Sequence, residues 1–305
     1  MISYELALLA ALVNAVGDVL NRKASREAPE SLAFRVRLFA DLIRRRTWIA
    51  AAMLMVTSFV LAAAALGTGQ LATVQLIVIL ELPLTLIGSA MFLGGLLPAR
   101  DWIAIAVMTA GVIGLLVLLN PRPGNGTVVP PLVWLAGSAA NLAAIAGLYL
   151  AAKTQRRPAV RSALLGMASG FGYGLTAAFT KGMADQFAGH GLAGVLSSWQ
   201  LYACGMTGLI STYLLQNAYH AGTLAAAQPG ITLIDPVIAT AWGAAAFGEH
   251  VRQGWILLLA VLPLAALTAG VLALSRSPSW QRNEEQPLIR RESPVPASTR
   301  SHRAG

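Results

Sequence analysis

The sequence predicts an all-α integral membrane protein of about nine transmembrane helices in two inverted-topology repeats. Three observations lead there: long apolar runs, a strong bias of basic residues toward alternate loops, and a self-match between the two halves of the chain. Of the 305 residues, 56% are hydrophobic and 11% charged, with a mean hydropathy of +0.64. A soluble chain carries about 25% charge. The apolar residues come in runs rather than in a stripe of period 3.6, and about 20 apolar residues span a bilayer.

Nine runs qualify: residues 2–20, 48–66, 71–95, 101–119, 131–151, 162–184, 195–217, 223–247 and 254–275. The first is followed by Arg22, Lys23 and Arg26, the wrong flank for a cleaved signal peptide. Basic residues choose the orientation. With the amino terminus outside, 19 lie on the cytoplasmic side, and only Arg122, Lys181 and Arg252 lie outside. The expectation is a multi-pass protein of the cell membrane with its amino terminus outside and its carboxyl terminus in the cytoplasm.

The organisation expected is a first repeat over residues 1–120 (spans one to four, with a basic interfacial loop at 21–47), a linking fifth span over 121–159, a second repeat over 160–275 (spans six to nine) and a disordered cytoplasmic tail over 276–305. Within the basic loop, "SLAFRVRLFADLIRRR" sets apolar residues among five arginines. It reads as a segment held by anionic lipid head groups, the alternative being a solvated basic loop. Membrane topology thus accounts for the net charge of +9, and no nucleic-acid partner is expected. Cys204 is the lone cysteine, the four histidines form no HExxH pair, and there is no GxxxxGK[ST] loop. Neither an HxxxxD nor a DxD pattern occurs. No cofactor, resident metal or enzymatic activity is expected.

Inside the third run, "LATVQLIVILELPLTLIGSA", stand Glu81 and Pro83. A carboxylate at a helix centre costs about 2.5–3.5 kcal/mol on insertion scales, and a proline removes a backbone hydrogen bond that lipid cannot replace. A shift of 153 residues supplies a reason for the pair. It lays Gly69 on Gly222, Gln75 on Gln228, Pro83 on Pro236, Gly95 on Gly248 and Trp102 on Trp255, with Glu81 and Asp235 one position apart, each just before its proline. A weaker match at offset 158 pairs Lys23 with Lys181. The paired spans lie five helices apart, so the two copies run in opposite directions through the membrane. Secondary transporters are built this way, with sites near mid-depth at interrupted helices.

On these residues the chain resembles a known family. "LAAAQPGITLIDPVIATAWGAAAFGEHV" is similar to the EamA-type repeat of the drug/metabolite transporter superfamily, and the stretch ending "GGLLPARDW" resembles a worn copy with Leu96 where the second half has Glu249. The resemblance covers residues 4–275 and implies alternating access by two repeats. Typical members have ten spans with both termini inside, so residues 31–46 are a candidate vestige of a lost span. Nine spans also resemble the NIPA-type magnesium transporters of that superfamily.

The candidate cavity residues follow from position. Asp235 is central in its span, and Gln228, Thr232 and Asp235 recur at i, i+4 and i+7 on one face. Glu81 lies two residues from the centre of its own span, but Gln75 falls about 120° away from it, which ranks Asp235 first. Both acids read as coupling carboxylates that trade a proton or cation, with Pro83 and Pro236 as helix breaks. The alternative is a neutral acid bonded to a carbonyl that its proline has freed. Asn14, Asp18 and Asn21 repeat the spacing on span one, as a cavity face or a packing face. Gly166, Gly170 and Gly174 read as a close-packing stripe, with a groove presenting Tyr173 and Thr176 as the alternative. Lys181 is expected to snorkel to the surface, Glu249 to pair with Arg252, and Trp102 and Trp255 to sit in the interfacial belts.

The function expected is proton-coupled secondary transport of a small organic solute, the alternative being divalent-cation transport through Glu81, Asp235, Asp18 and Asn14 as oxygen ligands. The partners expected are that solute or ion and membrane lipids, with a second copy in a homodimer as a further candidate. Reporter fusions test the topology: those at Gly67–Gly69 and Asn125 should read outside, and those at Thr154 and after Trp280 inside. Inverted signals at both Asn125 and Thr154 would reverse the orientation.

Overall fold

The chain folds into helices that pair along small residues. The computed structural model describes residues 2–26, 46–93, 97–124, 129–222, 224–252 and 254–277. Residues 27–45 of the expected basic loop, the tail from residue 278 on, Gly95 and Leu96 lie outside them. The first helix runs on to Arg26, and the disorder expected from residue 276 is corrected at Ser277, which is bonded to Asp101. The helices are α1 (Ile2–Arg26), α2 (Arg46–Thr68), α3 (Leu71–Val78), α4 (Glu81–Leu93), α5 (Ala99–Leu119), α6 (Pro131–Thr154), α7 (Pro158–Ser197), α8 (Trp199–Ala221), α9 (Leu224–Ala246), α10 (Ile256–Leu259) and α11 (Val261–Ser275). Among the described residues there is no strand, only an isolated bridge in which Arg122 and His250 exchange backbone hydrogen bonds of 2.9 and 3.2 Å.

Among the described residues, five stretches are long and apolar enough to cross a membrane: Ile2–Leu20, Ile49–Thr68, Leu71–Phe92, Ala99–Leu119 and Pro131–Thr154. The chain is an all-α, multi-pass membrane protein. The helices α7 and α8 are long but less apolar, because their polar groups serve the seam between them. Ser162 Oγ donates to Ala218 O at 2.8 Å, Ser169 Oγ to Ser211 O at 2.9 Å, and Thr176 Oγ1 to Thr207 Oγ1 at 3.0 Å. Hydrogen bonds made inside the bundle remove these hydroxyls from lipid. α7 runs for 40 residues and bends at Gly191, whose φ of 63° a helix does not accommodate.

The third apolar run is interrupted where its proline dictates. Pro83 has no N–H to give Ile79 O, which instead accepts from Leu82 N at 3.2 Å, while Leu80 N turns to Ile77 O at 3.0 Å. The tightened turn separates α3 from α4 and places Glu81 at the first residue of α4. Pro236 does otherwise. α9 passes through both Pro229 and Pro236 as one helix, so the break expected at Pro236 is corrected. The reason lies in α7, whose glycines hold α9 along its length. A Cβ on Gly166 would meet Ala227 O, one on Gly170 would stand 2.9 Å from Gly230 O, and one on Gly174 would stand 2.9 Å from Asp235 O. The glycine stripe is thus a packing face, as its spacing implies.

Elsewhere α1 packs on α2, where Ser58 Oγ donates to Ala10 O at 2.9 Å. α4 and α3 pack on α1, α3 on α9, and α5 on α11, where Gly111 lies against Pro263 and Leu267 and Gly270 against Met108. Ser277 Oγ closes that last pair by donating to the buried Asp101 Oδ2 at 2.6 Å.

Gly170→Leu should therefore destabilise the protein by about 1–3 kcal/mol through overpacking, read as a lower thermal midpoint in detergent. Gly147→Ala and Gly205→Ala, where nothing lies within 4 Å of the added Cβ, should be neutral or stabilising by up to about 1 kcal/mol.

Candidate functional site

The break before Glu81 and the close approach of α9 to α7 set the acids where the helices converge. The Asn14 side chain hydrogen-bonds to the Glu81 carboxyl, and Asp18 and Asp235 both act on it electrostatically. Tyr173, on α7, feels Asp235 and Glu81 and shares a 3.1 Å hydrogen bond with Thr212 of α8. Five helices thus supply one cluster: α1 (Asn14, Asp18), α4 (Glu81), α7 (Tyr173), α8 (Thr212) and α9 (Asp235). Asp235 Oδ1 is fully enclosed without a hydrogen-bond partner. An unpartnered buried oxygen of this kind is costly unless a further group arrives to bond it.

Of the residues expected in the cavity, Asn14, Asp18, Tyr173, Glu81 and Asp235 come together. Gln228 and Thr232 do share a face of α9, with Gln228 Nε2 donating to Thr232 Oγ1 at 3.4 Å. That pair sits lower on the helix, Gln228 about 10 Å from Asp235 along the axis. Gln75 stays on α3, beyond the break, and does not join the groups that act on Glu81. Glu81 rather than Asp235 is the hub of the cluster, contrary to the ranking from helix faces. Among the described residues no group of three or more His, Cys, Asp and Glu could hold a metal ion.

A second constellation escaped the sequence reading. Lys181 does not snorkel: it donates to Leu66 O at 3.0 Å and Gly69 O at 2.7 Å, stands 3.6 Å from Glu249 Oε1, and lies over the Phe247 ring. Nor does Glu249 turn to Arg252, whose N–H goes to Leu119 O. Its carboxylate accepts from Leu71 N at 2.6 Å and Ala72 N at 3.3 Å, so it caps α3 while Lys181 meets the last carbonyls of α2. Each charge faces the helix end whose dipole it complements. Burial pushes the Glu249 carboxyl up, and the Leu71 N–H and the Lys181 ammonium pull it back. Apolar neighbours at both ends, Leu66 and Leu71 among them, left no local sign of this latch in the sequence.

Above the latch opens a cavity of about 1020 Å³ lined by Trp134, Trp199, Phe247, Gln200, Asp185 and the Lys181–Glu249 pair, among others. Trp134 organises its wall, stacking on Phe179 at 5.5 Å and meeting Trp199 edge-on at 5.4 Å. Glu81 lies ten residues beyond the α3 cap, about 15 Å deeper.

No protein-family profile matches the chain, and no solved structure does. A protein of Corynebacterium glutamicum, described as uncharacterized, is 28% identical over 273 residues, which cover 89% of this chain and 93% of that protein. The match therefore extends over nearly the whole of both chains. It brings no activity with it.

Removing one member of the latch leaves the other buried and unpaired. Glu249→Ala should lower stability by about 1–3 kcal/mol, and Lys181→Met combined with Glu249→Ala should cost less than the sum of the two single changes. Thermal unfolding of the four proteins in one detergent measures the coupling.

Proposed function

We propose that this protein is a proton-coupled secondary transporter of a small organic solute, working by alternating access between two inverted repeats. The observation that carries the reading is the convergence of Glu81 and Asp235, from two proline-bearing helices, on one buried cluster with Asn14, Asp18 and Tyr173. Ionisable residues at such a depth serve ion or substrate pathways in membrane proteins. The resemblance to the EamA-type repeat leads to the same reading, with the plasma membrane as location and the amino terminus outside.

The helix pairings support the repeat. α1 packs on α2 as α7 does on α8, and α1 packs on α3 and α4 as α7 does on α9. Across the halves, α3 meets α9 and α5 meets α11, so equivalent helices face each other, as a two-fold relation requires. On this reading the 1020 Å³ cavity is an outer vestibule, and the latch closes the path from it to the acids. Access then alternates by opening the latch at one end and the α5–α11 end at the other. Divalent-cation transport is the second reading; it requires Asp18 and Asp235, which act electrostatically on Glu81, to draw together with it, since as they stand the described residues form no group that could hold a metal ion.

Asp235→Asn and Glu81→Gln keep side-chain shape while removing titration. Both should insert normally, lose accumulation driven by a pH gradient, and retain downhill exchange, with Glu81→Gln at least as severe because it is the hub. Uptake of a metabolite panel into proteoliposomes with an imposed pH gradient makes the measurement. Wild-type accumulation by both variants would remove the coupling role, and magnesium-driven uptake in place of solute uptake would favour the second reading.

A further inference from the structure

The seam between α1 and α4 carries polar groups that the cluster leaves unused. Thr85 and Ser89 follow Glu81 at i+4 and i+8, so all three lie on one side of α4. Gly88, on that same side, faces α1, where an added Cβ would stand 3.3 Å from Val19 Cγ2. α1 answers with Asn14 and Asp18, one turn apart, both acting on Glu81. Val19 against Gly88 sets the register and puts Asp18 at the depth of Thr85 and Ser89.

Thr85 and Ser89 are each only 1% exposed, and neither hydroxyl has a hydrogen-bond partner. This departs from the habit of the chain. Thr57, Thr176, Thr180, Thr207, Thr212 and Thr240 each donate to the carbonyl four residues back. That bond is open to any helical threonine or serine, so its absence at two successive turns leaves both hydroxyls free for another partner. Buried hydroxyls without partners are rare in folded proteins, and water is the small molecule that most often satisfies them.

We propose that the α1–α4 seam is a file of water molecules that gives protons access to Glu81 from the end of the bundle carrying Arg100, the cytoplasmic end on the topology above. The file runs about 12 Å, from Glu81 past Thr85 and Asp18 to Ser89, which lies one turn from the end of α4. Each hydroxyl both donates and accepts, so a proton taken up at Ser89 is relayed through water to the Glu81 carboxylate, and the reverse path releases it. Among the described residues, the charged groups acting on Glu81 are the carboxylates of Asp18 and Asp235, with Tyr173 beyond them. On the Glu249 side the latch stands between the vestibule and the same acids, so the two ends differ in what they admit. The inference builds on the transport reading by assigning the route of its proton.

The test does not depend on transport. Single cysteines replace Ser89, Thr85 and, as a control facing the apolar core, Leu86, each in a Cys204→Ser background. Sealed vesicles of known orientation are exposed to Ag⁺, a thiol-reactive ion small enough to follow water. Thiols left unreacted are counted by maleimide-polyethylene glycol after denaturation. The expected result is loss of the thiol in Ser89→Cys and then Thr85→Cys from the cytoplasmic face, with Leu86→Cys protected from both faces. Protection of Ser89→Cys and Thr85→Cys equal to that of Leu86→Cys would overturn the file, and reaction from the opposite face would overturn its direction. Should proton-driven uptake fail while one-sided labelling holds, the file stands and the coupling reading falls.

Discussion

A carboxylate away from water dictates its own surroundings. Lipid offers it neither a hydrogen-bond donor nor a counter-charge, so every partner must come from another helix. Glu81 meets that demand in part, through Asn14, while Asp18 and Asp235 stand near it as like charges and Asp235 Oδ1 is left without a partner. The hydroxyl bonds of the α7–α8 seam and the glycine contact of α7 with α9 follow from this requirement. They are the means by which α9, which carries Asp235, is held along α7.

The two prolines show how tertiary packing decides what a local rule leaves open. Each deletes one backbone donor. At Pro83 the helix yields, and the freed carbonyl of Ile79 finds a new donor one residue closer. At Pro236 it does not, because glycines on α7 admit the α9 backbone from Ala227 to Asp235 and the Ile238 side chain just beyond the proline. The third and eighth apolar runs thus differ in whether the helix continues past the proline.

Much of this was legible in the sequence. The apolar runs marked the helices, the four-residue spacing of Gly166, Gly170 and Gly174 marked a packing face, and acids beside prolines marked Glu81 and Asp235. Pro83 was legible as a break because a helix has few ways to survive it unsupported. Pro236 was misread because its support comes from another helix. The ideal-helix projection sets Gln75 about 120° from Glu81, and the helix end three residues beyond Gln75 keeps the two apart. Lys181 and Glu249 stand 68 residues apart, and a charge near a span end reads the same whether it reaches for solvent or for a helix terminus. Thr85 and Ser89 were visible in "ELPLTLIGSA", but their missing back-bonds appear only in three dimensions.

The short helix α3 is held at both ends in different ways. At one end Glu249 grips its first two N–H groups; at the other the turn at Ile79 and Leu80 joins it to α4. The eight residues between the clamp and the turn form a rod about 12 Å long. On the transport reading, releasing the clamp frees that rod to move about the turn, and the turn is the residue pair directly before Glu81, so opening of the wide cavity would reach the buried acid through the backbone alone.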